Sequence, residues 1–335
     1  MTTRSLAPAL SRRTFLAGVA AALPLALAAC GAERGGMKTT VLLDWIPNTN
    51  HSGLYLARDR GYLSGGGLDT EILPFPESGS VEQLVGTGKA AFGISSAEAV
   101  TKARAAGIPV VSIAAIIQHN TSGFASLKAA GITRPREMEG KRYASFGSPI
   151  ERPMLGKLMQ TDGGDVGKVQ FIEVGASDFL TLATQGRVDF AWVFEGVEKI
   201  DGEVRGLQLN YLPLSAYQPT IPDYYTPVFI TSEETIAKRG DGVRRFLAAV
   251  SRGYTEAISD PNAAAEAIAK ASPETNRDFL TRSQQFQSGQ YRADAPRWGE
   301  QRLEVWRRFT QFMAEQKLIE QPVNPANAFT TAFLP

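Results

Sequence analysis

The chain has 335 residues, 43% of them apolar, which is enough for two ordinary domains or one large one. Its 35 basic residues nearly balance its 34 acidic ones, and the first 29 residues hold three arginines and no acid. This balance argues against nucleic acid as a partner, because such a partner needs a clustered excess of Lys and Arg. It also disfavours a strongly charged ligand.

Residues 1–29 are typical of an export signal. Ser11-Arg12-Arg13-Thr14-Phe15-Leu16 opens a 15-residue apolar run ending at Ala29, which is short for a membrane span. The paired arginines resemble a twin-arginine signal, although Ala17 stands where that pattern often has Lys, so Sec export stays open. Leu27-Ala28-Ala29-Cys30 then matches the lipobox of bacterial lipoproteins.

We therefore expect cleavage before Cys30, lipidation of Cys30 and a flexible tether over residues 30–37. The alternative for Cys30 is a buried apolar thiol. Cys30 is the only cysteine, so no disulfide stabilises the chain. The expected mature protein is extracytoplasmic and held at the cell membrane by its lipid.

Beyond the tether, short β-rich runs alternate with helical patterns, which indicates an α/β fold. The last hundred residues show helical periods only, and their apolar stripes are typical of core faces. The predicted strands are Thr39 to Leu43, Asp69 to Leu73, Ala91 to Ile94, Val110 to Ile116, Arg142 to Phe146, Val169 to Glu173, Phe190 to Val193 and Val228 to Thr231.

An internal repeat indicates two similar lobes. Residues 81–96 align with 179–194 at an offset of 98, and both segments carry a Gly-basic-x-x-Phe core. Each predicts a helix that ends at Gly and a short strand that delivers a loop. We expect the loops at Ser95-Ser96 and at Phe194-Glu195 to lie on opposite walls of a cleft.

The loop from Asp44 to Gly53 follows the first predicted strand and crowds polar side chains around Trp45. A polar loop between a strand and a helix is where open α/β sheets bind ligands. Trp45 either stacks on a ligand or covers the sheet edge, and Asp44 either contacts the ligand or caps its own loop. His51 is either a ligand contact or a solvated loop residue.

A second helix start follows the strand that ends at Phe146. Ser148 is the predicted cap, Pro149 the first helical residue and Glu151 the capping-box acid. The free N–H groups of this helix either face the cleft or are capped without a ligand.

These motifs resemble the NMT1/ThiY-like family of type II periplasmic binding proteins, which serve ABC importers. The resemblance spans nearly all of the mature chain. It is carried by Asp44-Trp45-x-Pro47-Asn48-x-Asn50-His51-x-Gly53-x-Tyr55, Gly61-Tyr62-Leu63, Gly67-Leu68-Asp69, Gly88-Lys89-x-x-Phe92-Gly93, Trp192-x-x-Glu195-Gly196, Tyr224-Tyr225-Thr226-Pro227 and Phe329-Thr330-Thr331-x-Phe333-Leu334-Pro335.

The resemblance implies a binding protein for a thiamine pyrimidine precursor, formylaminopyrimidine or hydroxymethylpyrimidine, with riboflavin or another heteroaromatic solute as the alternative. Aromatic side chains would stack on the ring, and Glu195 would accept from its amine. The candidate ligand-binding residues are Asp44, Trp45, Asn48, Asn50, His51, Ser95, Ser96, Phe146, Ser148, Trp192, Glu195, Tyr224 and Tyr225. Trp192 alternatively fills the core, Glu195 pairs with Lys199, and Tyr224 and Tyr225 merely pack the hinge.

The implied architecture has two lobes joined by two hinge crossings, with residues 38–121 and 226–335 in lobe one and 122–225 in lobe two. The implied partners are an ABC permease and its ATPase, and no cofactor or metal is expected. A surface-anchored sensor or scavenger with the same fold stays open. So does an enzyme related to fungal hydroxymethylpyrimidine synthases, which is disfavoured because their Cys-rich segment has no counterpart here.

Overall fold

Two five-stranded sheets organise the computed structural model, which describes residues 36–76, 78–175 and 177–335. The predicted signal peptide, Cys30 and the tether up to residue 35 lie outside the described residues. The first sheet has the order β2-β1-β3-β10-β4. Its strands are β1 (Met37–Leu42), β2 (Leu68–Leu73), β3 (Phe92–Ser95), β4 (Val110–Ala115) and β10 (Val228–Ser232).

The second sheet repeats this arrangement with the order β7-β6-β8-β5-β9. In each sheet three strands are parallel, and the next strand, β10 or β5, runs antiparallel to both of its neighbours. The strands are β5 (Ser122–Leu127), β6 (Arg142–Ser145), β7 (Gln170–Glu173), β8 (Phe190–Phe194) and β9 (Leu209–Pro213).

The chain crosses between the sheets twice, from β4 to β5 and from β9 back to β10. We call the first sheet with its helices lobe one and the second sheet with its helices lobe two. The predicted two-lobed α/β class is therefore confirmed.

Helices flank both sheets, and the long C-terminal ones belong to the chain that returns to lobe one. The α-helices are α1 (Ser52–Asp59), α2 (Tyr62–Gly65), α3 (Val81–Gly86), α4 (Ala97–Ala105), α5 (Glu151–Gln160), α6 (Phe179–Thr184), α7 (Ile200–Val204), α8 (Glu233–Ser259), α9 (Pro261–Ala271), α10 (Arg277–Gln290) and α11 (Leu303–Glu315). In the part of the chain that the structure describes, no helix has the length and apolarity needed to cross a bilayer.

The predicted apolar stripe of α8 forms the centre of lobe one. Val243, Phe246 and Tyr254 have no solvent exposure. The ring of Phe246 stacks on Phe92 of β3 with 3.9 Å between ring centroids. Helix α8 therefore covers the central strands of the first sheet, as its period predicts.

The predicted repeat occupies the same position in both sheets. Helix α3 with β3 and helix α6 with β8 each supply the third strand in the sheet order. Gly88 and Gly186 follow the two helices with φ of 73° and 67°, the left-handed conformation that ends a helix at Gly. The two segments deliver equivalent loops, as expected.

All eight predicted strands are present, and two more strands were missed. β5 has the sequence Ser-Gly-Phe-Ala-Ser-Leu. Nearly the whole strand is buried, so its sequence does not show the alternation of apolar and polar residues that marks a strand with one exposed face. Gly123 lies close against Leu212 of the neighbouring strand, and a Cβ there would approach the Leu212 oxygen at 2.5 Å. β9 is an edge strand that ends at Pro213, which weakens its strand signal.

Two predicted boundaries were wrong. β1 begins at Met37, so the last part of the expected tether belongs to the sheet. Helix α5 begins at Glu151 after Ile150 and not at Pro149, and the Ser148 side chain does not cap it. Instead the Glu151 carboxylate accepts from the Ser148 backbone N–H at 2.6 Å, and Ser145 accepts from the Gly147 backbone N–H at 3.2 Å.

Candidate functional site

The site loops start at the carboxyl ends of parallel strands in both lobes. In lobe one these are the loop from Asp44 to His51 after β1 and the turn at Ser95-Ser96 after β3. In lobe two they are the turn from Phe146 to Ile150 after β6 and the turn from Glu195 after β8. Open α/β sheets bind ligands at such strand ends.

His51 anchors the first loop and is fully buried. The backbone N–H of Asn48 donates to its Nδ1 at 3.2 Å, so Nδ1 is an acceptor and the proton is on Nε2. Nε2 therefore donates to Asp44 Oδ1 at 2.8 Å. The Asp44 side chain is partly exposed, and the histidine fixes its orientation.

Trp45 stands outside this anchored loop with 46% of its surface exposed. Its ring lies beside Phe75, at 6.4 Å between centroids and tilted by 53°. Phe75 follows β2 and is 47% exposed, and Ile46 is 67% exposed. Lobe one thus presents an open aromatic surface formed by Trp45 and Phe75 next to a fixed carboxylate.

The two predicted asparagines of this loop bind protein groups. Asn48 caps the 3-10 turn Thr49–His51 by accepting from the Asn50 backbone N–H at 2.9 Å, and its amide donates to the Ile46 oxygen at 3.0 Å. Asn50 accepts through Oδ1 from the Gln287 amide of α10. Both side chains position the loop in this structure.

Ser95 and Ser96 end the second strand of the lobe-one wall. Ser95 is buried and donates to Glu82 of α3. Ser96 caps α4 by accepting from the Ala99 backbone N–H at 3.1 Å. Both hydroxyls thus form hydrogen bonds within lobe one, and they hold Glu82 and the start of α4 at the end of β3.

Lobe two presents a second aromatic surface, formed by Phe146 and Trp192. Phe146 is 50% exposed and lies 6.2 Å from the Trp192 ring. Trp192 is half-buried and also contacts Phe124, with 5.9 Å between ring centroids. Its Nε1 is buried and has no hydrogen-bond partner among the described residues. A buried indole N–H without a partner is a candidate donor to a bound ligand.

Glu195 begins a π-helical turn, Glu195–Lys199, that leads into α7. π-helical turns are frequent at functional sites. The Glu195 carboxylate pairs with Lys199 at 3.0 Å, the competing interaction expected from the sequence, and Lys199 also binds Glu203 at 3.2 Å. Glu195 remains partly exposed.

Tyr224 and Tyr225 lie in the second crossing and are almost completely buried. Tyr224 stacks on Phe309 of α11 at 4.1 Å. Burial raises the pKa of the Tyr224 hydroxyl, and so does the charge of Glu98. The Tyr225 hydroxyl accepts from the Arg302 backbone N–H at 2.9 Å. Tyr224 therefore lies near an acidic group, whereas Tyr225 fastens the crossing to lobe one.

Helix α10 is a part of the site that the sequence analysis missed. Its Ser283, Gln284 and Gln287 are buried. Ser283 donates to the Gly196 oxygen of lobe two, so its own oxygen accepts from Thr49 of lobe one at 2.7 Å. One helix thus touches both predicted walls. Buried polar residues four apart on an otherwise amphipathic helix are the signal that could have revealed it.

The described residues contain no cluster of His, Cys, Asp and Glu arranged to hold a metal ion. Glutamates occur at several helix starts near the loops, among them Glu82, Glu98 and Glu151. Aromatic surfaces, fixed carboxylates and an unpaired indole N–H suit an uncharged ring that carries donors and acceptors.

Sequence comparison finds known proteins that are similar to most of this chain. The chain is 26% identical to the formylaminopyrimidine-binding protein of Halalkalibacterium halodurans over 300 residues, covering 87% of this chain and 89% of that protein. It is 25% identical to the 4-amino-5-hydroxymethyl-2-methylpyrimidine phosphate synthase THI5 of Saccharomyces cerevisiae over 252 residues, covering 72% of this chain and 73% of that protein. Its relatives thus include both a binding protein and an enzyme.

Solved structures share the fold at low sequence identity. The periplasmic aliphatic sulphonate-binding protein SsuA of Escherichia coli superimposes with a TM-score of 0.69 at 14% identity, covering 87% of this chain and 91% of that one. The alkanesulfonate-binding protein SsuA of Xanthomonas axonopodis pv. citri superimposes with a TM-score of 0.67 at 14% identity, covering 88% of this chain and 98% of that one. The fold is that of the periplasmic binding proteins.

The family profile described as NMT1/THI5 like matches residues 48–264, from the anchored loop after β1 to the start of α9. This segment is more than half of the chain and contains all of lobe two. The chain belongs to the NMT1/THI5-like family.

Proposed function

We propose that the protein is an extracytoplasmic solute-binding protein that binds a thiamine pyrimidine precursor, formylaminopyrimidine or hydroxymethylpyrimidine. The observation that carries this proposal is the pair of exposed aromatic surfaces. Trp45 follows β1 in lobe one and Phe146 follows the equivalent strand β6 in lobe two. Flat rings at matching strand ends suit a flat ligand bound between the lobes.

The polar groups beside these rings complement an aminopyrimidine. Asp44 and Glu195 offer acceptors to an exocyclic amine, and the Trp192 N–H offers a donor to a ring nitrogen. The alignment with the formylaminopyrimidine-binding protein of Halalkalibacterium halodurans covers 87% of this chain. A ligand that bridges the lobes would stabilise a closed state.

A binding role is favoured over an enzymatic one by His51 and by the cysteine count. The expected enzymatic alternative needs a Cys-rich segment, and the sole cysteine is Cys30. His51 is fully buried and held by Asp44 and Asn48, so it is poorly placed to react with a solute. Riboflavin remains the alternative ligand, because a flavin also presents a flat ring with alternating acceptors.

Export, lipidation of Cys30 and delivery to an ABC permease complete the proposal. They rest on the twin-arginine and lipobox patterns of the sequence and on the periplasmic-binding-protein fold. Genes for a permease and an ATPase beside this one would support import, whereas a neighbouring sensor kinase would favour sensing. Mass spectrometry of the membrane fraction would test for lipid on Cys30.

Thermal denaturation of the purified protein with a ligand panel tests the ligand class. A bound pyrimidine at a hundred times its Kd should stabilise the fold by about 2.7 kcal/mol and raise Tm. Stabilisation by formylaminopyrimidine or hydroxymethylpyrimidine and not by riboflavin supports the proposal. A response only to sulfonates, nitrate or bicarbonate would overturn it.

Glu195 offers a residue-level test with a matched control. Glu195→Gln removes a charge expected to accept from the ligand amine, and Glu203→Gln removes the other carboxylate that binds Lys199. Calorimetric titration with formylaminopyrimidine should show binding weaker by about ten- to a hundredfold for the first variant only, since a hydrogen bond to a charged group contributes about 1.5 to 3 kcal/mol. Equal affinities for both variants would remove Glu195 from the site.

A further inference from the structure

Gln287 of α10 joins the lobe-one loop to the lobe-two turn. Its side chain is 1% exposed, and its amide Nε2 donates to the side-chain oxygen Oδ1 of Asn50. On its other side the amide packs against Gly196, where a Cβ would lie 2.8 Å from Gln287 Cδ. Asn50 lies in the 3-10 turn before α1 of lobe one, and Gly196 follows Glu195 of lobe two. One buried amide therefore fits between the two proposed walls of the cleft.

Asn50 has four polar groups, and the protein occupies three of them. Its backbone N–H donates to Asn48 Oδ1 at 2.9 Å, its backbone oxygen accepts from Tyr254 at 2.8 Å, and its Oδ1 accepts from Gln287. The amide nitrogen Nδ2 donates to no group among the described residues, and Asn50 is partly exposed. Because the side-chain oxygen is held, Asn50 has only its amide N–H groups to offer to a solute.

The side-chain oxygen of Gln287 makes no comparable contact. Oε1 is buried and has no hydrogen-bond partner among the described residues. An unpaired buried acceptor destabilises a fold, so an apolar side chain of similar length would suit this packing at least as well. A glutamine here is better explained by the hydrogen bond that its amide donates to Asn50 than by stability.

Two polar groups of the lobe-one loop are thus oriented by buried partners. His51 holds one oxygen of Asp44 through its Nε2 N–H, and Gln287 holds the oxygen of Asn50. The Asp44 carboxylate then offers acceptors, and the Asn50 amide offers donors. An aminopyrimidine carries the complementary groups, an exocyclic amine that donates and a ring nitrogen that accepts.

We propose that Gln287 is a positioning residue of the binding site, which fixes the oxygen of Asn50 and thereby presents the Asn50 N–H groups to an acceptor atom of the solute. This inference rests on the proposed function and specifies its ligand class, a solute whose ring nitrogen or carbonyl oxygen accepts from lobe one. With both amides turned the other way, Asn50 would donate to Gln287 Oε1 and present its own oxygen, and the site would select a donor at this place.

Hydrogen exchange of the side-chain amides, followed by nitrogen NMR, tests this orientation without any ligand. The two signals are assigned by their disappearance in Asn50→Ala and in Gln287→Met. The Gln287 amide protons should exchange more slowly than those of Asn50, because Gln287 is buried and donates to Asn50. A protected Asn50 amide proton would overturn the inference, because Asn50 would then be the donor of the pair.

Calorimetric titration with formylaminopyrimidine tests whether Gln287 acts through Asn50. Asn50→Ala should weaken binding about tenfold through the lost hydrogen bond. Gln287→Met should weaken binding about threefold in the unaltered protein and less than about twofold in the Asn50→Ala background. Gln285→Met, on the exposed face of the same helix, is the matched control and should change the affinity by less than about twofold.

Urea denaturation of the same variants separates positioning from a structural role. Gln287→Met removes the unpaired Oε1 together with the N–H groups, so the free energy of unfolding should stay the same or rise. Unchanged affinity in Asn50→Ala or in Gln287→Met, or equal losses from Gln287→Met in both backgrounds, would overturn the inference and leave the proposed function standing. Failure of the unaltered protein to bind any pyrimidine would overturn the proposed function and with it the ligand assigned to Asn50.

Discussion

Lobe one and lobe two present their site loops from equivalent strands, but different parts of the chain hold these loops in place. The loop after β1 is held by α8, by α10 and by Tyr291, which directly follows α10. Tyr254 donates to the Asn50 oxygen at 2.8 Å, Tyr291 donates to the Thr49 oxygen, and Ser52 donates to Gln284 at 2.5 Å. These partners lie more than 200 positions away in sequence.

The loops of lobe two are held by glutamates a few residues downstream. Glu151 accepts from the backbone N–H groups of Phe146 and Ser148, and Glu198 accepts from the Phe194 N–H at 2.8 Å. Burial raises the pKa of Glu198. Lobe two therefore holds its loops mainly through nearby glutamates, with one contact from Ser283 of α10 to the Gly196 oxygen, whereas the lobe-one loop depends on several contacts from the returning C-terminal helices. Two lobes with the same strand order can therefore hold their site loops through different contacts.

The largest effect should follow from disturbing the contact between α1 and α8 that supports the lobe-one loop. A Cβ at Gly53 would lie 2.3 Å from the Tyr254 ring, so Gly53→Ala must displace that ring. We expect a loss of about 3 kcal/mol, at the upper end for overpacking. Urea denaturation measures it.

Gly289→Ala is the matched control, because this helical glycine of α10 has nothing within 4 Å of its Cβ position. It should be neutral or stabilise by up to about 1 kcal/mol through helix propensity. Similar losses in both variants would show that the α1 to α8 contact is not tight.

The next effect concerns the helix that joins the two walls. Ser283→Ala removes a buried hydroxyl that links Thr49 to the Gly196 oxygen, and both groups lose this partner. We expect a loss of about 1 to 3 kcal/mol in urea denaturation. Gln285→Ala, on the exposed face of the same helix, should change stability by less than about 0.5 kcal/mol. Equal effects would contradict the bridging role of α10.

The comparison of the lobes also explains what the sequence could predict. The strands, the 98-residue repeat and the two-lobed class follow from local patterns, since a helix ending at Gly and an apolar run are visible in a short window. β5 was missed because this buried strand is rich in Ser, Gly and Ala, and its apolar and polar residues do not alternate. Its burial depends on neighbours from the whole chain.

The candidate site shows the same division. Trp45 and Phe146 could be placed because each follows a recognisable strand. The partners of Asn50 and Thr49 could not, because Gln287 and Ser283 reach them only through the tertiary packing of α10. Whether the thirteen proposed contacts touch a ligand stays a prediction.

A smaller effect should follow from removing one aromatic ring from each lobe. Trp45→Ala and Phe146→Ala should each weaken formylaminopyrimidine about tenfold, because stacking adds about 0.5 to 1.5 kcal/mol beyond burial. Both rings are about half exposed, so stability should change little. Calorimetric titration measures the affinities.

Ile46→Ala is the control for these two variants, since Ile46 is exposed next to Trp45 and has no ring. Its affinity should stay within about twofold of the unaltered protein, because a rim contact contributes little binding energy. A loss for only one of the two aromatic variants would assign the ring contact to a single lobe and contradict a ligand held between both.

The smallest effect concerns the crossings that connect the lobes. His119 in the first crossing binds Asp223 of the second at 2.6 Å and Asp294 of lobe one at 2.8 Å. The hydrogen bond to Asp223 raises the pKa of His119 to about 9, burial opposes this, and Asp294 adds to it.

Because the folded state holds a proton that the unfolded state loses near pH 6.5, this contribution to stability is complete below about pH 6.5 and falls as the pH rises through about 9. The ring is more than one-third exposed, so solvent screening should limit the loss to less than about 1 kcal/mol. Urea denaturation at pH 6 and pH 9.5 should therefore show a larger drop in the free energy of unfolding for the unaltered protein than for His119→Gln. Equal drops would mean that this bridge between the crossings carries no net stability, and the two lobes would then be joined by their packing alone.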